Sequence, residues 1–171
     1  TLYGDANPGD ARGYLGKYLD LLFIPVFAFV LRDAAVRRRA LYALAASLAL
    51  VLAMSYMIHA GLVPPVPGLR GNPDNPVFLK YSLTHNVMMA FGAFLFTQLA
   101  LAAANRQMRL LWGTLAAAAA INVTFIVPGA TGYLVLGLLA LYLGYVRRGW
   151  RGLGWMAGAG MAAILVLASI P

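Results

Sequence analysis

The sequence contains no cysteine and no glutamate, and charged residues of any kind are scarce. Without cysteine the chain can form no disulfide and offers neither a thiolate metal ligand nor a cysteine nucleophile. Two histidines and five aspartates are too few for a convincing metal site, so we expect no metal. Only 11% of the 171 residues are charged, whereas a soluble domain has about 25%. This shortage argues against a soluble protein.

Most of the sequence consists of long apolar stretches, and 62% of the residues are hydrophobic. A bilayer span needs about 20 mostly apolar residues. Because backbone polar groups in lipid must be paired within their own segment, such stretches form helices. The sequence therefore predicts an all-α, polytopic transmembrane bundle of about six spans. The predicted spans are 14–31, 40–59, 82–104, 110–127, 131–146 and 153–170.

Basic residues indicate how these spans are oriented. Nine of the 13 lysines and arginines lie in alternate breaks between spans: Arg32, Arg37, Arg38, Arg39, Arg106, Arg109, Arg147, Arg148 and Arg151. The positive-inside rule places them in the cytoplasm. The N-terminal segment, the proline-rich loop 61–80 and the corner 128–130 then face outward. The net charge of +8 indicates contact with membrane lipids, and no basic run alternates with aromatic residues as a nucleic-acid groove requires.

Polar residues gather at the predicted outward ends of the spans. Thr84, His85 and Asn86 begin the third span, and a helix N-terminus is a favourable place for an anion. Within the fourth span, Asn122 and Thr124 are expected to hydrogen-bond to other helices. The sixth span has glycines at positions 154 and 158, a spacing that favours packing against another helix.

Four stretches occur in an order that is known from one protein family: LYGDA, GYLGKYLDLLFIP, SLTHNVMMAFGAFLF and VPGATGYLVLGLLAL. Their succession resembles the bacterial O-antigen ligase family of membrane glycosyltransferases, and the similarity extends over most of residues 2–141. That family also includes O-antigen polymerases and protein O-oligosaccharyltransferases, and the motifs do not separate the three. The resemblance implies that residues 1–171 are one transmembrane domain within a longer protein of about twelve spans. The chain ends, Thr1 and Pro171, agree with a piece of a longer polypeptide.

The resemblance also implies an activity. Ligases of this family transfer a glycan from undecaprenyl pyrophosphate to the lipid A–core oligosaccharide, in lipopolysaccharide assembly at the periplasmic face of the inner membrane. They invert the sugar and need neither a metal nor another cofactor. Their proposed catalytic base is a histidine in a later periplasmic segment, which we expect beyond Pro171. His85 is expected to order the start of the third span instead. The isolated chain would then be inactive.

One departure from the family concerns the donor pyrophosphate. The family usually reads Gly-Arg-Thr-Gly-Tyr where this sequence has Gly129-Ala130-Thr131-Gly132-Tyr133. Guanidinium is permanently charged and can donate two parallel hydrogen bonds to phosphate, which alanine cannot do. Ala130 is therefore either a substitution that removes donor binding or the sign of a member that uses another cation. The implied substrate-binding residues are Lys17, Arg70, Lys80, His85, Asn86, Ala130, Thr131 and Tyr133.

Two interpretations of a different class remain open. A fragment of a transporter or flippase would also be polytopic, but transporters place ionisable groups near the middle of the membrane. Here the span interiors are almost free of charge, which favours chemistry at the membrane surface. A non-enzymatic scaffold subunit would explain the many alanines and glycines. Glycan transfer that depends on the outward residues separates the enzyme from both alternatives.

Overall fold

The computed structural model describes Leu21 and residues 23–63, 74–77 and 81–168, with side chains up to residue 161. Every regular element in these ranges is helical, which confirms the all-α prediction. The elements are α1 (Phe23–Val30), α2 (Ala34–His59), α3 (Ser82–Ala102), α4 (Arg106–Ile121), a π-helical turn (Asn122–Ile126) and α5 (Ala130–Ala168). Within the described ranges, four segments are long and apolar enough to cross a membrane: Ala34–His59, Ser82–Ala102, Arg106–Ile126 and Ala130–Met161. The protein is therefore a polytopic membrane protein.

The first two predicted spans differ from the structure in their extent. Most of the predicted span 14–31 lies outside the described residues, and α1 covers its final part. The second helix begins six residues before the predicted position 40, because Asp33 caps it. The Asp33 carboxylate accepts hydrogen bonds from the backbone N–H groups of Ala35 at 2.7 Å and Val36 at 3.1 Å. Residues 37–39, which the sequence places in a break between spans, are therefore helical and lie in the first turns of α2.

A glycine divides the last helix into the two segments that the sequence predicts. Gly149 has φ 60° and ψ −147°, a conformation that residues with a Cβ rarely adopt. The chain folds back there so tightly that a Cβ on Gly144 would lie 2.7 Å from the carbonyl oxygen of Gly152. The segments 130–148 and 150–168 correspond to the fifth and sixth predicted spans. We call this reversal the Gly149 hairpin.

The chain forms two compact units, Thr1–Leu44 (unit 1) and Ala45–Pro171 (unit 2), and their boundary falls within α2. In unit 1, α1 buries none of its residues, and Phe29 is 71% exposed. Exposed apolar side chains of this kind are costly in water but are suited to contact with lipid tails. The described part of unit 1 therefore has the surface expected of a segment within a bilayer.

Unit 2 is built around α3, which packs against both α4 and α5. Phe96 of α3 is fully buried and stacks on Trp112 of α4 at a centroid distance of 5.9 Å. Helices that follow one another in the chain run antiparallel, so α3 and the first segment of α5 run parallel. Gln98 near the end of α3 contacts Arg147, whereas Asn86 near its start lies against Gly132. This arrangement brings polar residues from every helix to the same end of the unit.

The two ends of unit 2 differ in chemistry. We call one the polar end; it is defined by Ser55, Tyr56, His85, Asn86, Asn122, Thr131 and Tyr133. We call the other the basic end; it is defined by Arg106, Arg109, Arg147, Arg148 and Arg151. The guanidinium of Arg109 donates to the carbonyl of Ala103, just past the end of α3, at 3.0 Å. The described part of the polar end contains no lysine or arginine.

Candidate functional site

Four polar residues are buried in the described part of the protein, and all of them lie at the polar end. Asn122 and Ser55 are completely inaccessible, and His85 and Asn86 are each 2% exposed. A buried polar group without a partner costs about 1–3 kcal/mol. Such residues persist only where hydrogen bonds or a function compensate for this cost, so their clustering marks the candidate site.

Three of these residues form one directed chain of hydrogen bonds. Ser55 Oγ donates to the carbonyl oxygen of Pro76 at 2.7 Å, and Asn122 Nδ2 donates to Ser55 Oγ at 2.9 Å. The remaining amide oxygen of Asn122 lies 2.9 Å from His85 Nε2. Because an amide oxygen only accepts, Nε2 of His85 must bear a proton. The chain therefore fixes the imidazole tautomer and links α2, α3, α4 and the end of the proline-rich loop.

The end of that loop is part of the bundle. Most of the predicted loop 61–80 lies outside the described residues, but residues 74–77 are described. Pro76 and Val77 are buried there. Together with the Ser55 hydrogen bond, this burial anchors the loop next to the candidate site. Residues 76 and 77 of the loop are therefore packed against the bundle and are not a solvated connector.

A π-helical turn places Asn122 in this network. The N–H of Val127 donates to the carbonyl of Asn122 at 2.8 Å, five residues back, and so closes the wider turn. Single π turns within helices are frequent at functional sites. Pro128 follows, and its ring pushes Val127 out of the helical region to φ −124° and ψ 71°. The helix therefore ends here and leaves room for the corner before α5.

Asn86 packs into the corner that joins the π-helical turn to α5. A Cβ on Gly129 would lie only 2.6 Å from Asn86 Nδ2, and one on Gly132 would lie 2.8 Å from Val123 Cγ1. A side chain at either corner position would therefore have to displace Asn86 or Val123. Asn86 Oδ1 is buried and receives no hydrogen bond from any described residue. It is an available acceptor at the centre of the candidate site.

The other predicted site residues of the corner lie on its surface. Ala130 and Thr131 are exposed at the start of α5. Tyr133 is 45% exposed, and its hydroxyl donates to the carbonyl of Thr124 at 3.1 Å. Positions 130 and 131 are thus on the surface of the corner, and the Tyr133 hydroxyl links the corner to the π-helical turn.

The first turn of α3 is a possible source of backbone donors. Tyr81 is the N-cap residue, and its side chain makes no capping hydrogen bond. The first N–H groups of a helix have no partner within the helix and favour an anion. The start of α3 could therefore contribute donors to a phosphate. The predicted cations Lys17, Arg70 and Lys80 all lie outside the described residues.

The structure brings some of the predicted residues together and separates others. Asn86 meets the Gly129–Gly132 corner, whereas His85 turns away from it toward Asn122. The prediction that Asn122 bonds across helices is confirmed. For Thr124 it is wrong, because its hydroxyl donates to the carbonyl of Ala120 in the same helix at 2.9 Å. In the described residues no group of three His, Cys, Asp or Glu side chains could hold a metal ion.

Two members of the site, Ser55 and the Pro76 carbonyl, are not among the residues predicted from the sequence. Ser55 interrupts a hydrophobic run four residues before His59, and a serine inside a span is a signal for a helix-to-helix hydrogen bond. A backbone carbonyl carries no sequence signal at all. Comparisons of this chain with protein-family models, with curated proteins and with solved structures found no match.

Proposed function

We propose that this chain is part of an O-antigen ligase-type glycosyltransferase that acts on an undecaprenyl-pyrophosphate-linked glycan. The acceptor is the lipid A–core oligosaccharide, in lipopolysaccharide assembly. The polar end of unit 2 faces the periplasm and the basic end faces the cytoplasm of the bacterial inner membrane. A polymerase or protein O-oligosaccharyltransferase of the same family would share the donor and differ in the acceptor.

The main support is a contact between two of the stretches on which the resemblance rests. SLTHNVMMAFGAFLF contains Asn86, and VPGATGYLVLGLLAL contains the Gly129–Gly132 corner into which Asn86 packs. The two stretches are more than 40 residues apart in the chain, and nothing in their separate sequences requires them to touch. Their meeting at one polar end is what a shared donor site would need.

In the proposed reaction, this chain binds the donor and a later segment of the polypeptide supplies the base. The acceptor hydroxyl oxygen bonds to the anomeric carbon as the bond to the pyrophosphate oxygen breaks, and undecaprenyl pyrophosphate leaves. The hydroxyl proton passes to the base that the resemblance places beyond Pro171. This chain would hold the donor, and stabilisation of the developing phosphate charge is a large part of such catalysis. Lys17, Arg70, Lys80 and the N-terminus of α3 are its candidate groups.

Restoring the family arginine tests this proposal. In the complete protein, Ala130→Arg should raise donor affinity or turnover about tenfold, because a charge-assisted hydrogen bond contributes about 1.5–3 kcal/mol. Glycan transfer from the lipid-linked donor to lipid A–core is the measurement. Ala60→Arg is a matched control, because Ala60 is also exposed just past the end of α2 and its variant should behave like the parent protein. If neither variant changes transfer, Ala130 does not belong to the donor site.

The orientation of the chain in the membrane gives a second test, which does not require enzymatic activity. Because the chain has no cysteine, single cysteines at Thr131 and Arg148 can be labelled without background from this segment. A membrane-impermeant maleimide applied from the periplasm should label position 131 and not position 148. The reverse pattern would invert the orientation and remove the assignment. Movement of the lipid-linked glycan across vesicles by the complete protein, without transfer, would favour the transporter instead.

A further inference from the structure

The arginines of the basic end have no counter-charge within unit 2. From position 45 onward Asp74 is the only acidic residue, and it lies two residues before Pro76, at the polar end. Arg147 and Arg109 are held by neutral oxygens: Gln98 Oε1 lies 3.3 Å from Arg147, and the Ala103 carbonyl accepts from Arg109. The exposed side chains of Arg106, Arg148 and Arg151 make no hydrogen bond or ion pair with any described residue.

The Gly149 hairpin concentrates three of these charges at one reversal of the chain. Arg147, Arg148 and Arg151 all lie within two residues of Gly149. The backbone is tight here, since a Cβ on Gly152 would overlap the carbonyl oxygen of Gly144 and would lie 2.9 Å from Arg148 Cβ. Like charges held this close repel one another unless an anion neutralises them. Guanidinium groups pair well with phosphate because they form parallel hydrogen bonds to its oxygens.

Two exposed tryptophans accompany the charges. Trp150 is 77% exposed and Trp155 is 74% exposed. Trp150 also makes an edge-on contact with Tyr145 at a centroid distance of 5.6 Å. Tryptophan and tyrosine are enriched where a membrane protein meets lipid headgroups. The hairpin therefore has the composition of a segment that lies at the headgroup level.

A furrow runs from Arg151 along the second segment of α5. It has a volume of about 630 Å³ and is lined by Arg151, Gly154, Trp155, Gly158 and Ala159. A Cβ built on Gly154 or Gly158 would meet nothing within 4 Å, so no described residue fills the furrow. One end offers a cation, while the rest offers small residues and an indole ring.

We infer that the Gly149 hairpin binds an anionic phospholipid, with its phosphate on Arg148 and Arg151 and an acyl chain in the furrow. The unneutralised charge selects an anionic lipid over a zwitterionic one. The furrow adjoining that charge accommodates a hydrocarbon tail, which a free phosphate would leave empty. This inference does not depend on the proposed function, because it concerns the opposite end of unit 2.

Lipid retention by the complete protein tests the inference. The protein is reconstituted in nanodiscs of phosphatidylglycerol and phosphatidylcholine, and native mass spectrometry measures how much of each lipid remains bound. Each basic residue near an anionic surface contributes about 1 kcal/mol, so Arg148→Gln with Arg151→Gln should weaken phosphatidylglycerol retention at least about tenfold. The control, Arg37→Gln with Arg38→Gln, removes the same charge from exposed positions of α2 and should retain the lipid. Equal losses from both pairs would mean that only general charge attracts the lipid and would overturn the inference.

A second variant separates a lipid tail from a packed helix. Gly158→Leu fills the furrow at a position where an added Cβ meets nothing within 4 Å, and it leaves every arginine in place. We expect it to weaken phosphatidylglycerol retention several-fold while the subunit mass of the particle stays unchanged. If it instead alters the number of protein chains in the particle and retains the lipid, another helix occupies the furrow and the inference is wrong.

Discussion

At the polar end of unit 2 the polar side chains are buried and hydrogen-bonded, whereas at the basic end they are exposed and largely unpaired. Asn122, Ser55 and His85 each have a defined partner. Arg148 and Arg151 have none among the described residues. Both ends belong to the same helical unit, so the difference lies in the side chains and the local backbone at each end.

The backbone leaves regular helix at both ends, with different consequences for the side chains. At the polar end it departs from regular helix through the π-helical turn and the Val127–Gly129 corner, and these departures allow side chains to meet. At the basic end the backbone is compressed by Gly144 and Gly152, and its side chains are left outside. Fixed side chains suit recognition of one substrate, whereas free cations suit a fluid surface of lipid headgroups.

The largest effect on stability should come from adding a methyl group inside the Gly149 hairpin. In the complete protein, Gly152→Ala puts a methyl group against the backbone oxygen of Gly144, and a backbone atom cannot move aside as a flexible side chain can. We expect a loss of about 3 kcal/mol in the free energy of unfolding, measured by denaturation in mixed detergent. Gly154→Ala, two residues away with nothing within 4 Å, is the control and should be no less stable than the parent. If the two variants are equally stable, the tight hairpin is refuted.

The next largest effect should come from breaking the buried chain of hydrogen bonds. Asn122→Leu keeps the branched shape of the side chain but leaves His85 Nε2 without an acceptor and Ser55 Oγ without its donor. We expect the free energy of unfolding to fall by about 2–3 kcal/mol. Adding His85→Leu should recover part of this loss, because removing both partners is less costly than leaving one buried and unpaired.

The control for this variant is Thr114→Val. Thr114 is exposed on α4, and its hydroxyl bonds only to the carbonyl of Leu110 in its own helix. This change should alter stability by less than about 0.5 kcal/mol. A loss in Asn122→Leu no greater than that in Thr114→Val would show that the buried chain contributes nothing special to folding.

A smaller effect is expected where Asn86 meets the corner. Gly132→Ala would place its Cβ 2.8 Å from Val123 Cγ1 and 3.0 Å from Asn86 Cβ. These side chains can shift, so we expect a loss of about 1–2 kcal/mol. Gly137→Ala, in the same helix with open space around it, should instead gain up to about 1 kcal/mol from the helix preference of alanine. Equal changes at the two glycines would contradict the packing of Asn86 against this corner.

Parts of this fold and site could be predicted from local sequence. The third helix begins at the predicted Ser82, because the polar run after the proline-rich loop passes directly into an apolar segment. Asn122 bonds across helices as predicted, because an amide within a span has few alternatives. The start of α2 was missed by six residues because hydropathy excludes the arginines that follow Asp33. Capping by Asp33 overrides that pattern.

The composition and order of residues determined that this chain crosses a membrane as helices, since apolar stretches of this length leave the backbone no other way to satisfy its polar groups. The tertiary structure alone decided which polar residues meet. It turned His85 toward Asn122 and Asn86 toward Gly132, although the two are adjacent in the chain. Helix rotation and the π-helical turn set these contacts, and both depend on packing among residues far apart in sequence.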